Sequence, residues 1–449
     1  MKTLTIPDLD FAPVKRKKVT VRFDDPAVSS DGGALYLSEV DRRLGLMERL
    51  AAAIADGRRQ SHVDHCLLDL LRQRTYQICC GYEDADDCDA LRDDPVFKTA
   101  VGRDPVEEEA LGSQPTMTRL ENAVTVRDLV RLGHAFIDHF IASYERPPQM
   151  IVLDMDPTTD VVHGQQQLAL FNAFENEYCF MPFHVYEGQS GKFIASVLRA
   201  GKSPAAAEIL GVLRRIVRRV RQAWPEVRIA FRGDSHHTKP ALMDWMQAHG
   251  VDFVTGLEPN ARLKALFAPA IQAAERKFRA RPLNGPIRAY AAGEYAARTW
   301  SAPRRVVCRI LVSAQGTDVR FIVTSFQAAG AKYLYETAYC GRGKMELMIK
   351  DHKTALKSDR TSCHRKEANQ FRLFLHSAAY VLMHALRDNL LKGSELARAQ
   401  FDTLRLKLLK TGARLEAGRT FLRFHFPAAC PVQAEFTRMS SILGVLNTT

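Results

Sequence analysis

Gln149-Met-Ile-Val-Leu-Asp-Met-Asp156 is a short apolar run that closes on two carboxylates. A run of that length and ending reads as a sheet strand that presents acids at its edge without burying them unpaired. Asp154 and Asp156 are two residues apart, so both point to the same face of the strand. A second run, Val227-Arg-Ile-Ala-Phe231, leads into Arg-Gly-Asp234-Ser, and a third is Val251-Asp-Phe-Val-Thr-Gly256. Residues 204–224 and 239–249 between them carry helical periodicity, and Pro225 stops the first of these helices. Strands alternating with helices predict a mixed α/β sheet with helices packed on it.

Upstream, helical periodicity runs from about residue 38 to a stop at Gly57, and from a Ser61 N-cap to Gly81. A further helix covers about 126–144, and Arg146-Pro-Pro148 ends it. Residues 1–148 thus read as a mainly helical module. Its first dozen residues look extended or mobile. Its Lys15-Arg-Lys-Lys18 run is either a solvated tail or a DNA-backbone contact. Residues 149–257 read as the first part of a sheet core, with one further strand at 180–185. Residues 258–328 read as a β-rich insertion: a helix near 263–278, then strands near 287–295, 305–312 and 319–324, the last two forming an antiparallel pair. Residues 329–392 resume the core, and 393–449 form a C-terminal helical region with a strand at 421–426.

The chain has 449 residues, 46% of them hydrophobic and 25% charged, which suits a globular protein of two or three domains. Its net charge of +12 favours a polyanionic partner, either nucleic acid or an anionic membrane surface. No stretch approaches the roughly 20 apolar residues that span a bilayer, and the start lacks the apolar run of a signal peptide. The membrane reading therefore weakens and the nucleic-acid reading gains. The basic side of residues 212–221 (Arg214, Arg215, Arg218, Arg219 and Arg221) fits a DNA channel. Nine cysteines without a disulfide pattern point to a reducing cytoplasm. His62, His65, Cys66, Cys79, Cys80 and Cys88 cluster in sequence, but their spacing matches no regular zinc site, and buried thiols on helices explain them better.

The chemistry concentrates in Tyr339-Cys-Gly-Arg342-Gly-Lys-Met-Glu346 and the following Lys353. At roughly 100° per residue, a regular helix brings Tyr339, Arg342, Glu346 and Lys353 into one narrow sector. Such a face is a poor core face and a good phosphate-handling face. Arg and Lys hold a phosphate while the acid holds a metal that touches it. One acid of the Asp154 and Asp156 pair, with Asp234 and Glu346 from two further elements, can then hold two Mg²⁺ ions with oxygen ligands, and Mn²⁺ can substitute. Each acid taken singly also has a plain structural reading: a turn at Asp156-Pro157, a helix cap at Asp234, and an ion pair of Glu346 with Arg342 or Lys350.

The spacing Tyr339-(2)-Arg342-(3)-Glu346-(6)-Lys353 resembles the signature of DDE transposases of bacterial insertion sequences. Leu153-Asp-Met-Asp-Pro-Thr158, His163-Gly-Gln-Gln166 and Phe231-Arg-Gly-Asp-Ser-His236 are similar to the insertion-sequence thirteen-eighty family. The similarity covers about residue 20 to past 390. The resemblance implies an RNase H-like core with catalytic acids Asp156, Asp234 and Glu346, and it leaves Asp154 open as an alternative first acid. It implies that Tyr339, Arg342 and Lys353 grip DNA phosphates, and that His163, Gln166 and His236 either line the site or hold it together by hydrogen bonds. It further implies Mg²⁺-dependent cleavage and strand transfer on double-stranded transposon ends and target DNA, by a homodimer in the bacterial cytoplasm at the nucleoid, with no membrane partner. A nuclease that does not join strands and a silent, DNA-binding regulator are the two alternatives. Pro157 after Asp156 and Cys340 inside the signature depart from the family pattern, and neither removes a required group.

Overall fold

The structure is a computed structural model that describes residues 8–280 and 285–445. The start of the segment expected to be extended or mobile, residues 1–7, lies outside the described residues; Leu9–Val14 and Lys17–Val21 form an antiparallel hairpin. The chain divides into two compact units. One comprises residues 44–56 and 120–384, and the other takes the remaining segments.

The larger unit is built on an eight-stranded mixed sheet. Its strands are β1 (Met150–Pro157), β2 (Phe183–Glu187), β3 (Phe193–Val197), β4 (Arg228–Gly233), β5 (Val251–Leu257), β6 (Ile287–Tyr295), β7 (Arg304–Ser313) and β8 (Gly316–Thr324). Their spatial order is β6-β7-β8-β5-β4-β1-β2-β3. β4 runs parallel to both β1 and β5, and every other pairing is antiparallel. This is the α/β architecture of a mixed sheet flanked by helices that the sequence predicts. The β-rich segment continues the same sheet, because β8 pairs with β5 at Val254↔Thr324.

The strands' alternation explains which face is core. Ile151, Leu153 and Met155 of β1 are fully buried, with Ile229 and Phe231 of β4 and Phe253 of β5 beside them. Helices α1 (Val126–Ala142), α2 (Ala206–Ala223) and α3 (Pro240–Ala248) supply the facing layer, including Phe140, Leu213, Ile216 and Met243. Each such side chain contributes roughly 1.5–3 kcal/mol by leaving water. The α1 helix starts at Thr125, whose hydroxyl and backbone N–H exchange hydrogen bonds with Asp128 in a capping box. With the odd residues of β1 committed to the core, Asp154 and Asp156 must face the other side of the sheet.

In the second unit, Leu67–Cys80 is a helix that ends at Gly81, whose φ of +94° suits glycine. Its N-cap is Cys66, whose sulfur accepts from the Asp69 N–H, and not the Ser61 expected. The helix expected through residues 38–57 is two helices broken at Gly45 with φ +59°: Ala34–Leu44, which belongs to this unit up to Arg43, and Leu46–Ala52, which belongs to the larger one. Cys79, Cys80 and Cys88 are buried. Strands Ala413–Gly418 and Phe421–His425 pair with each other and, through Ala413, with Val28–Ser29. The buried Asp31 carboxylate binds Lys410 at 2.8 Å and Tyr82 at 2.8 Å, which ties the two ends of the sequence into this unit.

Candidate active site

The parallel register of β1 and β4 sets Arg232 directly opposite Asp154. Continued two residues further, it brings Asp234 level with Asp156 at the strand ends. The two carboxylates nearest the exit from the sheet are therefore neighbours because of register alone.

Asp154 and Asp156 have different surroundings. Asp154 is fully buried and takes two parallel bonds from Arg232, each 2.5 Å. Such a bidentate pair compensates the burial of both charges. Arg232 also donates from Nη1 to the Ala338 carbonyl at 2.8 Å, immediately before Tyr339. Gly341 leaves the space that this guanidinium fills, since a Cβ there would lie 2.5 Å from Arg232 Nη1. Asp156 is half-buried, and its Oδ2 accepts from Arg342 Nη2 at 2.7 Å. The same Arg342 nitrogen lies 3.9 Å from Asp234 Oδ2. Asp156 thus shares a cation with Asp234, whereas Asp154 is engaged by Arg232.

Asp234 sits just past β4, and its carboxylate accepts from the His236 backbone N–H at 2.9 Å, from His236 Nδ1 at 2.9 Å and from His237 Nδ1 at 2.8 Å. Burial works to raise its pKa, but the bonds and charge from His237 and His236 outweigh it, and the carboxyl is held far below the usual range. Asp156 is shifted the other way: burial raises it and the neighbouring Asp234 adds to that, against the opposing Arg342.

The signature segment is not one regular helix. Leu334–Tyr339 is a π-helical stretch, Cys340–Arg342 a 3₁₀ turn, α4 (Gly343–Lys350) an α-helix, and Asp351–Ala355 π-helical again. The steady angular advance that would stack four side chains in one sector is lost at each change of winding. Tyr339 lies over β5, where a Cβ on Gly256 would meet its hydroxyl at 2.8 Å. Arg342 reaches the two acids. Lys353 donates to the Thr159 carbonyl and lies 3.8 Å from Asp160, a fully buried carboxylate whose two oxygens have no hydrogen-bond partner. The Glu346 side chain is exposed and has no hydrogen bond or ion pair among the described residues. His163 is exposed, and Gln166 Oε1 is buried without a partner.

Two hard carboxylates within reach of one nitrogen suit a single divalent cation. Glu346 is not gathered with them: among the described residues no group of three or more His, Cys, Asp or Glu is close enough to hold a metal ion. Sequence reasoning missed three residues of this region: Arg232, His237 and Asp160. An arginine inside an otherwise apolar strand is the signal that would have exposed Arg232, because such a charge is buried only with a partner. The basic side of α2 is partly spent within the protein. Arg219 pairs with Asp138 at 2.5 Å and Arg221 donates to the Gly250 carbonyl, while Arg214, Arg215 and Arg218 are exposed.

No helix among the described residues is long and apolar enough to cross a membrane. No curated protein matches the chain. Among solved structures, it is similar to a piggyBac transposase in a synaptic complex with hairpin DNA, at 12% identity and a TM-score of 0.42, over 86% of this chain and 80% of that one. Residues 11–448 match the family model of the transposase DDE domain, group 1, and the chain belongs to that family.

Proposed function

We propose that this protein is the DNA transposase of a bacterial insertion sequence of the thirteen-eighty type. It binds the element's terminal inverted repeats as duplex DNA, cuts at their ends and joins them to a target. The observation that carries this reading is the convergence of Asp156, on β1, and Asp234, just past the end of the adjacent parallel strand β4, on Arg342 of the signature segment in a chain of the transposase DDE family. Asp156 and Asp234 would hold a divalent ion, Mg²⁺ or Mn²⁺, and Glu346 would join them from α4 to complete a two-ion site. Bound there, the metal would supply activation of water or of a 3′-hydroxyl and stabilisation of the leaving oxygen at phosphorus.

The chain's own residues do the positioning. His236 and His237 keep Asp234 ionised and aimed. Arg232 fixes the start of the signature segment against β1. Arg342, Tyr339 and Lys353 hold phosphate oxygens near the scissile bond, and the exposed arginines of α2 add backbone contacts whose affinity falls with salt. Residues 1–148 carry end recognition. Two ends are joined in one event, so the working species is a homodimer on DNA, acting at the nucleoid in the cytoplasm.

The test is a cleavage and strand-transfer assay on DNA carrying the element's own ends, comparing wild type with Asp234→Asn in Mg²⁺, with an EDTA control. Metal-dependent cutting and joining, both lost in Asp234→Asn while end binding persists, is the expected result. Cutting without joining would make the protein a nuclease. Binding without cutting by the wild type would make it a silent regulator.

A further inference from the structure

The geometry points to Arg342 as a built-in cation that a divalent ion must displace from Asp156 and Asp234, and whose displacement frees it to grip a DNA phosphate. This deepens the metal reading of the proposed site and rests on it.

One nitrogen, Nη2 of Arg342, is 2.7 Å from Asp156 Oδ2 and 3.9 Å from Asp234 Oδ2. A divalent ion held by Asp156 and Asp234 would need the carboxylate oxygens that this nitrogen now serves. Two cations beside the same acids also repel strongly in a half-buried setting. Arg342 and the ion are therefore mutually exclusive occupants of the same pair of acids.

Arg342 has somewhere to go. It stands where a 3₁₀ turn gives way to α4, flanked by Gly341 and Gly343. A cavity of about 310 Å³ lined by Val152, Ala230, Ala338, Gly341 and Lys344 lies beside this turn. Arg232 anchors Ala338 upstream, so the chain can move after that anchor without releasing the sheet. The Arg342 Nε is buried without a hydrogen-bond partner, which leaves a donor for an incoming acceptor. Because Arg342 cannot serve the acids and a phosphate at once, metal and DNA each favour the state that accepts the other. Linkage then makes their binding mutually reinforcing.

The experiment is Mn²⁺ binding to the full chain, without DNA, followed by electron paramagnetic resonance. Removing a cation beside two carboxylates should tighten binding on the order of tenfold in Arg342→Gln. Arg342→Lys, which keeps the charge, should bind no more tightly than wild type. Unchanged or weaker Mn²⁺ binding in folded Arg342→Gln would overturn the inference while leaving the transposase reading intact. Mn²⁺ binding in Arg342→Gln that is indifferent to a second change, Asp234→Asn, would place the ion elsewhere and remove the metal reading together with the inference. Should Arg342→Gln fail to fold, the side-chain Nε–H NMR signal of Arg342 in the wild type decides. Saturating Mg²⁺ must shift it, and a signal unmoved at full Mg²⁺ occupancy overturns the displacement.

Discussion

Asp154 with Arg232 and Asp156 with Arg342 are the same pair of functional groups, two residues apart on one strand face, in opposite circumstances. The first pair is sealed, with side-chain exposures of 0% and 7%, and is bidentate. The second is half-open, at 15% and 20%, single-bonded, and shared with a second carboxylate. Burial fixes the first pair permanently, because separating it would strand a charge in the interior. The second can exchange its partner at small cost because water reaches it. A single strand thus carries a structural rivet and the pair proposed for the chemistry, distinguished by depth and register and not by residue type.

The sharpest way to break this comparison is at the reactive acids. Asp234→Asn should lower DNA cleavage by about a hundred- to a thousandfold, read in the end-cleavage assay on folded protein, with some loss of stability as well, since the bonds from His236 and His237 favour the carboxylate. Equal activity in the variant would remove Asp234 from the chemistry. At the rivet the loss should appear in stability. Arg232→Met leaves Asp154 buried and unpaired and should cost about 3–5 kcal/mol in urea unfolding, whereas Arg342→Met, which uncovers acids that water partly reaches, should cost less, about 1–3 kcal/mol. Adding Asp154→Leu to Arg232→Met should restore much of the loss, and failure to do so would mean that the Ala338 contact dominates.

Acid sharpens the contrast from a different side. His139 on α1 has its pKa pushed down to about 4 by burial, with Arg49 and Lys192 adding to the shift. The unfolded imidazole binds its proton near 6.5, so between those values the unfolded chain holds more protons. Stability is complete above that window and is lost as pH falls through it, by a few kcal/mol at most. Asp234, whose carboxyl is held far below the usual range, adds a loss of the same sign only from about pH 5 downward, where the unfolded carboxylate begins to take up its proton. Urea midpoints from pH 7 to 4 should fall in the wild type and fall less steeply in His139→Leu, the remaining slope coming from His184 and His352, which burial also holds neutral. The smallest effect belongs to the exposed face of α2. Arg218→Ala should leave stability within about 0.5 kcal/mol and lower the salt slope of end binding by about 1.

Much of the sheet was legible because its strands alternate or run apolar between helix stops. Ile151, Leu153 and Met155 announce a buried face, and Pro225 a helix end. The signature segment was legible in content and misread in shape. Residue spacing assumes uniform winding, and π and 3₁₀ turns around Cys340–Arg342 and Asp351–Ala355 break it. Ser61 looked like a helix start, yet the helix begins at Leu67, since Cys66 sulfur caps it and the intervening residues form only a short 3₁₀ turn.

By itself the sequence determined the strands β1, β4 and β5 with the helices between them and the shared facing of Asp154 and Asp156, and it named candidate residues for phosphate chemistry, because these depend on local periodicity and side-chain chemistry. Tertiary structure alone decided that Arg232 engages Asp154, that Arg342 spans Asp156 and Asp234, that Lys353 turns to Asp160, and that Glu346 stands exposed. Those outcomes depend on strand register and on where the winding of a helix changes. Both are set by contacts between segments far apart in the chain, which no local pattern encodes.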